Sequence, residues 1–256
     1  SAASDGYKRQ RQALADAQAK LAAISRSMAM IEFSPDGTIL DANAHFCQAM
    51  GYSVEELRGK HHRLFCDPAY SKSAEYRQLW LELGQGKAIS GTFERVDKAG
   101  REVWLEASYM PVLDEHLQVT SVIKVAADIS QRVKDEHESK SLLTAIGRSM
   151  AVVEFSPEGR VIKANQNFLT TMGYRLEEVA GRHHGLFCHA HERESAGYRE
   201  FWASLNRGEY HAHRFERVNK HGQTVYLEAS YNPIFDNKGR LYKVVKFASD
   251  ITAQVS

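Results

Sequence analysis

Apolar residues follow two different periods along this chain, one helical and one typical of a β-strand. Near the start they recur seven positions apart, at Tyr7, Leu14, Leu21 and Met28. This spacing predicts an amphipathic helix over residues 7–26, whose narrow apolar stripe suits packing against a partner helix or the following domain. Between residues 103 and 112 apolar and polar residues alternate instead, which predicts a half-buried strand.

The region after the first helix has the pattern of an α+β domain. Two short strands are expected around a Pro-Asp-Gly turn, followed by short helices and then by three longer strands. The expected strands are 30–33, 38–40, 89–96, 103–112 and 119–129, and an amphipathic helix is expected at 73–83. Because the helices are gathered between two groups of strands, we expect an antiparallel sheet with helices on one face.

The whole pattern returns 122 positions later. The segment GKHHRLFC at residues 59–66 corresponds to GRHHGLFC at residues 181–188, and LEASY at 105–109 returns at 227–231. Roughly half of the aligned positions are identical without a gap, which identifies an internal repeat. We therefore expect one kind of domain that is built twice.

The repeat predicts five segments in a chain of 256 residues. They are an N-terminal helix at 1–26, a first domain at 27–130, a helical linker at 131–148, a second domain at 149–252, and the start of a link to a downstream output domain at 253–256. Each domain is thus preceded by an amphipathic helix, and the second of these helices joins the two domains. Two domains of about this size are what the chain length favours.

The composition is that of an ordinary globular protein, with 43% apolar residues, 25% charged residues and a formal net charge of +1. So small a net charge provides no field to attract nucleic acid, and we expect no nucleic-acid partner. No apolar run reaches the roughly 18 residues that a membrane helix needs, so we expect no direct membrane insertion. The three cysteines show no disulfide pattern. We expect a cytoplasmic protein.

Several motifs resemble those of PAS domains. Both copies enter the first helix with Asn-x-x-Phe, at Asn43 and Asn165, place Gly-Tyr before an acidic helix start, and end in Asp-Ile followed by Ser or Thr. The Gly-x-His-His-x-x-Phe segment, the helix with a tryptophan and the Glu-Ala-Ser-Tyr-x-Pro strand are similar to one subgroup. These are the paired PAS sensors that precede methyl-accepting chemotaxis signalling domains in soluble bacterial transducers.

The resemblance implies a five-stranded antiparallel sheet of order 2-1-5-4-3 around a cavity that short helices close. Members of the family bind haem, flavin or small metabolites in that cavity, or bind nothing and serve as dimerisation modules. Haem and FAD are therefore candidate cofactors, and a cavity without any cofactor is the alternative. Signals leave such domains through the helices at either end, as a change in dimer geometry.

Two histidine pairs, His61-His62 and His183-His184, are the main candidate cofactor-binding residues. Neighbouring side chains on a helix or turn point in different directions, so we expect at most one histidine of each pair to enter a cavity. A neutral imidazole could ligate haem iron or hydrogen-bond a flavin or a metabolite. The alternative is structural: one histidine caps a helix or bonds a backbone carbonyl, and the other is exposed.

Four further residues complete the candidate cofactor site, namely Trp80, Trp202, Asn43 and Asn165. The tryptophans could stack on a flat cofactor, although aromatic residues at helical spacing more often belong to the core. For the asparagines, the alternative to a cofactor contact is a structural role in which the side chain bonds the backbone at the helix entry.

Cysteine and histidine chemistry offers two more hypotheses. Cys66 and Cys188 occupy the same place in the two copies. They could form a redox sensor, which needs an accessible thiol of low pKa. We favour the alternative that each is a small buried side chain of the apolar core. The second copy also has a cluster of possible metal ligands, which are His183, His184, Cys188, His189, His191, His211 and His213. Because their spacing matches no zinc signature, we expect no metal site.

Neither a catalytic triad pattern nor a phosphate-binding loop nor paired acids occur in both copies, so we expect no enzyme and no catalytic residues. The favoured function is the sensory module of a bacterial transducer that detects a ligand, redox or oxygen cue and relays it by helix and dimer rearrangement. The expected partners are a second copy of the chain, bound through helical flanks and PAS surfaces, and a downstream chemotaxis-type signalling domain with its kinase and adaptor proteins. The alternatives are a ligand-free PAS scaffold and the sensory half of a histidine kinase or diguanylate cyclase.

Overall fold

Two compact units make up this computed structural model, which describes residues 1–255. The first unit is Ser1–His137, and the second begins at Glu138. Of the predicted link at 253–256, Ser256 lies outside the described residues.

Each unit has the predicted order of two strands, several short helices and three longer strands. The first unit contains α1 Ala2–Ser27, β1 Ala29–Phe33, β2 Ile39–Ala42, α2 Ala44–Met50, α3 Val54–Leu57, a short 3-10 helix His62–Phe65, α4 Pro68–Ser71, α5 Ala74–Gly84, β3 Ile89–Val96, β4 Glu102–Leu113 and β5 Val119–Asp128. Helix α6, Ser130–Ser149, runs from the first unit into the second.

The second unit repeats these elements. They are β6 Ala151–Phe155, β7 Val161–Ala164, α7 Gln166–Met172, α8 Leu176–Val179, a 3-10 helix His184–Phe187, α9 Ala190–Arg193, α10 Ala196–Asn206, β8 His211–Val218, β9 Thr224–Phe235, β10 Leu241–Asp250 and α11 Thr252–Val255. The predicted strands and helices are thus confirmed, most of them within one or two residues at either end.

Each unit has one five-stranded antiparallel sheet. The strand order is β2-β1-β5-β4-β3 in the first unit and β7-β6-β10-β9-β8 in the second. The order 2-1-5-4-3 that the PAS resemblance implies is therefore confirmed. The alternation predicted for β4 is confirmed as well, because its residues Val103, Leu105, Ala107 and Tyr109 are all buried.

The short helices begin and end where the local sequence predicts. Gly51 follows α2 with φ +78°, a left-handed conformation that glycine adopts without steric cost. Ser53 caps α3 in a capping box with Glu56, as predicted. In the second unit Arg175 provides no side-chain cap, and only the reverse bond is kept, in which the Glu178 carboxylate accepts from the Arg175 backbone N–H at 3.0 Å.

Helix α1 buries none of its residues, a property that it shares with α6. Its heptad positions are open to solvent: Tyr7 is 62% exposed, Leu14 61% and Leu21 55%. Only its end is held, where Asn43 of the first sheet domain bonds the backbone of Ser25 and Met28. The apolar stripe of α1 therefore has no partner within the first unit.

The turn between β4 and β5 contains a strained residue. Leu117 has φ +61°, a left-handed conformation that costs a residue with a Cβ about 1 kcal/mol, whereas the equivalent Gly239 adopts φ +77° freely. Leu117 is 75% exposed, so its side chain contributes little packing. We predict that Leu117→Gly raises the free energy of unfolding of the first unit by about 1 kcal/mol.

The reciprocal change Gly239→Leu is the matched control, because a Cβ at Gly239 would meet no atom within 4 Å and only backbone strain is added. It should lower the stability of the second unit by about 1 kcal/mol. Urea unfolding monitored by circular dichroism measures both. Equal unfolding midpoints for the wild type and both variants would show that the turn stores no strain.

Candidate functional site

The centre of the first domain is the imidazole of His62, which is fully buried. The 3-10 helix places it there, between α5 and β4. Its Nδ1 lies 2.8 Å from the hydroxyl of Tyr76, and its Nε2 lies 2.9 Å from the hydroxyl of Tyr109. Both ring nitrogens are therefore hydrogen-bonded, as a buried imidazole requires.

The neighbouring His61 has a different role. It caps the 3-10 helix by accepting a hydrogen bond from the Arg63 backbone N–H at 3.1 Å, and its Nε2 lies 2.8 Å from the carbonyl oxygen of Asp36. Gly37 allows this approach, since a Cβ there would lie 2.7 Å from Nε2. Only one histidine of the pair enters the core, as predicted. The structural alternative, in which one histidine caps a helix and the other is exposed, describes the capping His61 correctly. It does not describe His62, which is buried.

A guanidinium favours one direction for the hydrogen bonds around His62. Arg95 on β3 is 2% exposed, and its Nη2 donates to the Tyr109 oxygen at 3.1 Å. The Tyr109 hydroxyl proton is then available to His62 Nε2, and Nδ1–H donates to Tyr76. Arg95 thus favours a neutral imidazole with its proton on Nδ1.

Aromatic rings pack around His62. Their centroids lie at 5.3 Å for Phe33 and Trp80, 5.7 Å for Tyr76 and Tyr109, and 6.0 Å for Phe65. Most of these pairs meet edge to face, the arrangement that the quadrupole of an aromatic ring favours. The imidazole is therefore held by packing as well as by hydrogen bonds.

The second domain repeats the same cluster. His184 Nδ1 lies 2.7 Å from the Tyr198 hydroxyl and Nε2 2.8 Å from the Tyr231 hydroxyl, while Arg217 donates to the Tyr231 oxygen at 3.0 Å. His183 caps its 3-10 helix by accepting from the Gly185 backbone N–H at 3.0 Å. The histidine pairs therefore have the same division of roles in both domains.

Each cluster also contains a buried lysine that the sequence analysis did not consider. Lys124 on β5 and Lys246 on β10 are 0% exposed, and the Nζ atom of each has no hydrogen-bond partner among residues 1–255. Lys124 Nζ lies 4.8 Å from the centroid of the Tyr109 ring, and Lys246 Nζ lies 4.9 Å from that of Tyr231. The sequence could have predicted this burial, because Lys124 lies two residues from Val122 and from Ala126 on β5. Side chains two residues apart on a strand point to the same face of the sheet, and this face is buried.

The tryptophans and asparagines lie at two different places. Trp202 is 9% exposed and belongs to the core of the second domain, and Trp80 is half-buried against the core of the first. Asn43 accepts from the backbone N–H of Met30 and of Phe46, each at 3.0 Å, and Asn165 bonds Val152 and Phe168 in the same way. The tryptophans thus adjoin the buried imidazoles, while the asparagines hold the entry of each domain.

The thiols have the properties of buried groups. Cys66 is 6% exposed and Cys188 2% exposed, and burial raises the pKa of both. A raised pKa reduces the fraction of reactive thiolate. Their burial confirms the small apolar role that we favoured.

The residues of the first site do not fit a haem iron in this arrangement. A histidine ligand needs one free ring nitrogen, and His62 and His61 each have both nitrogens engaged. A flat flavin ring would have to displace rings that already contact the imidazole. The cofactor-binding role assigned to the eight candidate residues stays a prediction.

The histidines of the second domain form no metal centre among residues 1–255, where no three histidine, cysteine or acidic side chains converge on an ion. His189 and His191 stack on each other at 5.6 Å, and His211 Nε2 lies 2.6 Å from the Ser204 hydroxyl. These side chains are thus engaged in local contacts.

Burial lowers the pKa of His62 well below its usual 6.5, and the nearby Lys124 and Arg95 lower it further. The histidine therefore takes up a proton in the unfolded chain but not in the folded one. Such a group stabilises the fold fully above pH 6.5, and this stabilisation is lost as the pH falls. We predict that His62→Gln reduces the pH dependence of the first unit's unfolding free energy by about 1 kcal/mol per pH unit, averaged between pH 6.5 and 5.

Chemical denaturation of the 256-residue chain over that pH range measures the slope. The other titratable groups near His62 are present in both proteins, so the comparison isolates one imidazole. These groups are His61, Arg95, Lys124, Tyr76, Tyr109 and Cys66. His184→Gln should have the same effect on the second unit alone. A slope that His62→Gln does not change would mean that His62 is protonated in the folded state.

Comparison with known proteins agrees with this architecture. Two family models of the PAS fold match the chain, one over residues 25–134 and one over residues 161–248. None of the helices in residues 1–255 has the length and apolar character that a membrane crossing requires.

Among curated proteins, the biofilm dispersion protein BdlA of Pseudomonas aeruginosa is 49% identical over 232 residues, which are 91% of this chain and 56% of that protein. The aerotaxis receptor of Escherichia coli is 32% identical over 77 residues, 30% of this chain and 15% of the receptor. The oxygen sensor protein DosP of Escherichia coli is 21% identical over 211 residues, 80% of this chain and 26% of that protein. This chain thus spans little more than half the length of BdlA and less of the others. The PAS resemblance drawn from the motifs is confirmed, and the chain belongs to the PAS family as two PAS domains in tandem.

Proposed function

We propose that this chain is the sensory module of a cytoplasmic bacterial signal transducer of the chemotaxis type, which controls biofilm dispersion. The 49% identity to a biofilm dispersion protein supports the process, and the similarity to an aerotaxis receptor supports the class of transducer. The module has a regulatory and not a catalytic role. Its output domain, with the kinase and adaptor partners of that domain, belongs to the remainder of the transducer.

The buried polar cluster is the observation that carries this proposal. In the first domain it joins five elements: His62 from the 3-10 helix, Tyr76 from α5, Arg95 from β3, Tyr109 from β4 and Lys124 from β5. A ligand or redox cue that changes one of these side chains leaves its neighbours with unsatisfied polar groups. The short helices would then have to move relative to the sheet.

Backbone and side-chain bonds connect this sheet to helix α6. The Ile129 N–H donates to the Trp104 carbonyl at 2.8 Å, and the Trp104 N–H donates to the Ser130 hydroxyl at 2.9 Å. Trp104 lies on the same strand as Tyr109, and Ser130 begins α6. A displacement of β4 at the cluster therefore reaches the first turn of the helix that leaves the domain.

Helix α1 is bound at its end in a comparable way. Asn43 Nδ2 donates to the Met28 carbonyl at 2.7 Å while Asn43 Oδ1 accepts from the first strand and from α2. The side chain thus connects the end of α1, strand β1 and helix α2. A change in dimer geometry through α1 could therefore be coupled to the domain.

A ligand-free scaffold is the second candidate function, and the satisfied hydrogen bonds of His62 favour it. In that case the side chains fill the core themselves, and the domains serve to pair chains. A third candidate, the sensory half of a histidine kinase or diguanylate cyclase, differs only in the output domain.

A chimera tests the sensory proposal against the scaffold. In it, this chain replaces the aligned 232 residues of the Pseudomonas aeruginosa protein in a strain that lacks its own copy. We predict that the chimera restores dispersion, and that His62→Gln with His184→Gln abolishes the response while the protein level is unchanged. Those substitutions act on the buried cluster, so a scaffold would tolerate them as long as it folds.

The matched control is His116→Gln, because His116 is an exposed histidine in the turn after β4. This variant should respond like the unmodified chimera. A chimera that disperses normally with both buried histidines replaced would contradict sensing at the cluster and would support the scaffold.

Dimerisation through α1 is a further part of the proposed relay. Because Leu14 and Leu21 are exposed on one stripe, we predict that Leu14→Glu with Leu21→Glu raises the dimer dissociation constant at least about tenfold, or about 1.4 kcal/mol. Sedimentation equilibrium of the 256-residue chain measures it. The control pair Gln12→Glu with Ala19→Glu lies on the opposite face of α1 and should leave the constant unchanged. Equal effects of the two pairs would show that the stripe is not the interface.

A further inference from the structure

The first domain buries a lysine and an arginine against the same residue, Tyr109, without a carboxylate counterion. Lys124 is 0% exposed and Arg95 2% exposed. Within the described residues, neither forms an ion pair with a carboxylate, and Lys124 Nζ and Arg95 Nε have no hydrogen-bond partner. The guanidinium uses its other nitrogens on the Glu94 carbonyl at 2.8 Å and the Tyr109 hydroxyl at 3.1 Å.

Such an arrangement is unfavourable for an empty core. An unpaired buried cation loses its hydration without gaining a partner, and a folded protein seldom retains one without a compensating group. Burial lowers the pKa of Lys124 well below its usual range, and Arg95 lowers it further, so the amine tends to lose its proton. An anion between the two groups would supply the missing charge and accept the free N–H donors.

The second domain differs at a residue that contacts the guanidinium. Glu192 stands where the first domain has Tyr70, and its carboxylate lies 3.1 and 3.4 Å from Arg217 Nη1. Tyr70 instead places its ring face 5.5 Å from the Arg95 guanidinium carbon. The second domain thus provides its own carboxylate to the guanidinium, and the first domain does not.

We propose that the core of the first domain binds a small carboxylate between Lys124 and Arg95, and that Glu192 weakens the equivalent site of the second domain by occupying Arg217. The ligand must be small because the rings of Tyr109 and Phe46 lie 4.8 and 6.0 Å from Lys124 Nζ. A carboxylate suits the site because a guanidinium and an ammonium are the groups that bind it most strongly. This inference rests on the proposed sensory function and names the chemical class of its cue.

Equilibrium dialysis of the 256-residue chain against radiolabelled formate, acetate and pyruvate tests the proposal, with sodium chloride as a competitor at constant ionic strength. We expect one saturable site per chain for at least one of the three carboxylates, resistant to chloride. Lys124→Met should remove this site, whereas the matched variant Lys246→Met should leave it intact. Lys124→Met also replaces a buried amine by an apolar chain of similar length, so a lower melting temperature is not expected from it.

The exchange of Tyr70 and Glu192 tests the second half of the proposal. Tyr70→Glu should weaken binding at the first site at least tenfold, because the new carboxylate competes for Arg95. Glu192→Tyr should add a second saturable site that Lys246→Met removes. Equilibrium dialysis measures the affinity of the first site and the number of carboxylate molecules bound per chain. Neither quantity depends on signalling.

Three results would overturn the inference: no saturable binding of any of the three carboxylates, binding that survives Lys124→Met, or reciprocal variants that leave stoichiometry and affinity unchanged. The dispersion chimera separates this failure from that of the proposed function. A chimera that still requires His62 and His184 while the chain binds no carboxylate would retain the sensory function and discard the ligand class. Carboxylate binding by a chain whose chimera does not restore dispersion would retain the site and discard the sensory function.

Discussion

Each domain depends on one buried imidazole held between two tyrosine hydroxyls. In the first domain the bond from His62 to Tyr109 spans 47 residues and fastens the short 3-10 helix to the central sheet. Since a buried polar group without a partner is costly, the three side chains have to keep one arrangement. Arg95 favours one direction for these bonds by donating to the Tyr109 oxygen. Hydrophobic burial alone would hold the helices near the sheet, but this polar contact determines their position.

The repeat shows which parts of that cluster are constrained. Histidine, both tyrosines, arginine and lysine recur 122 residues apart, with hydrogen-bond distances that differ by about 0.1 Å between the copies. Changing the histidine, the tyrosine of the central strand or the arginine would leave a buried hydrogen-bond partner unsatisfied. Position 70, equivalent to 192, lies at the margin of the cluster and is partly open to solvent, so it could change from Tyr70 to Glu192 without such a cost. The two copies therefore agree in geometry and differ in electrostatics.

Most of the fold could be predicted from the sequence because local rules determine it. The strand alternation, the glycine after α2 and the capping serine before α3 all act within a few residues, and the structure agrees with each. The inward turn of one histidine in each pair also followed from local geometry. The partners of His62 could not be predicted, because Tyr76 and Tyr109 come from distant elements. The burial of Lys124 was not predicted for a different reason. A charged residue in a strand is ordinarily assigned to the face that contacts solvent, although Lys124 alternates in step with the inward-facing Val122 and Ala126.

In these cores the buried histidine and the buried cationic groups need opposite environments. The neutral imidazole needs a dry, well-packed environment, and the same environment is unfavourable for the cations beside it. In the second domain Glu192 partly compensates the buried guanidinium by forming an ion pair with Arg217. In the first domain the ring face of Tyr70 gives Arg95 only a weaker cation–π contact. The guanidinium of the first core therefore lacks the carboxylate partner that the second core provides, although the folds of the two domains are the same. A single side chain at the margin thus gives the two repeated domains different partners for the same buried guanidinium, and a tandem pair of this kind need not be redundant.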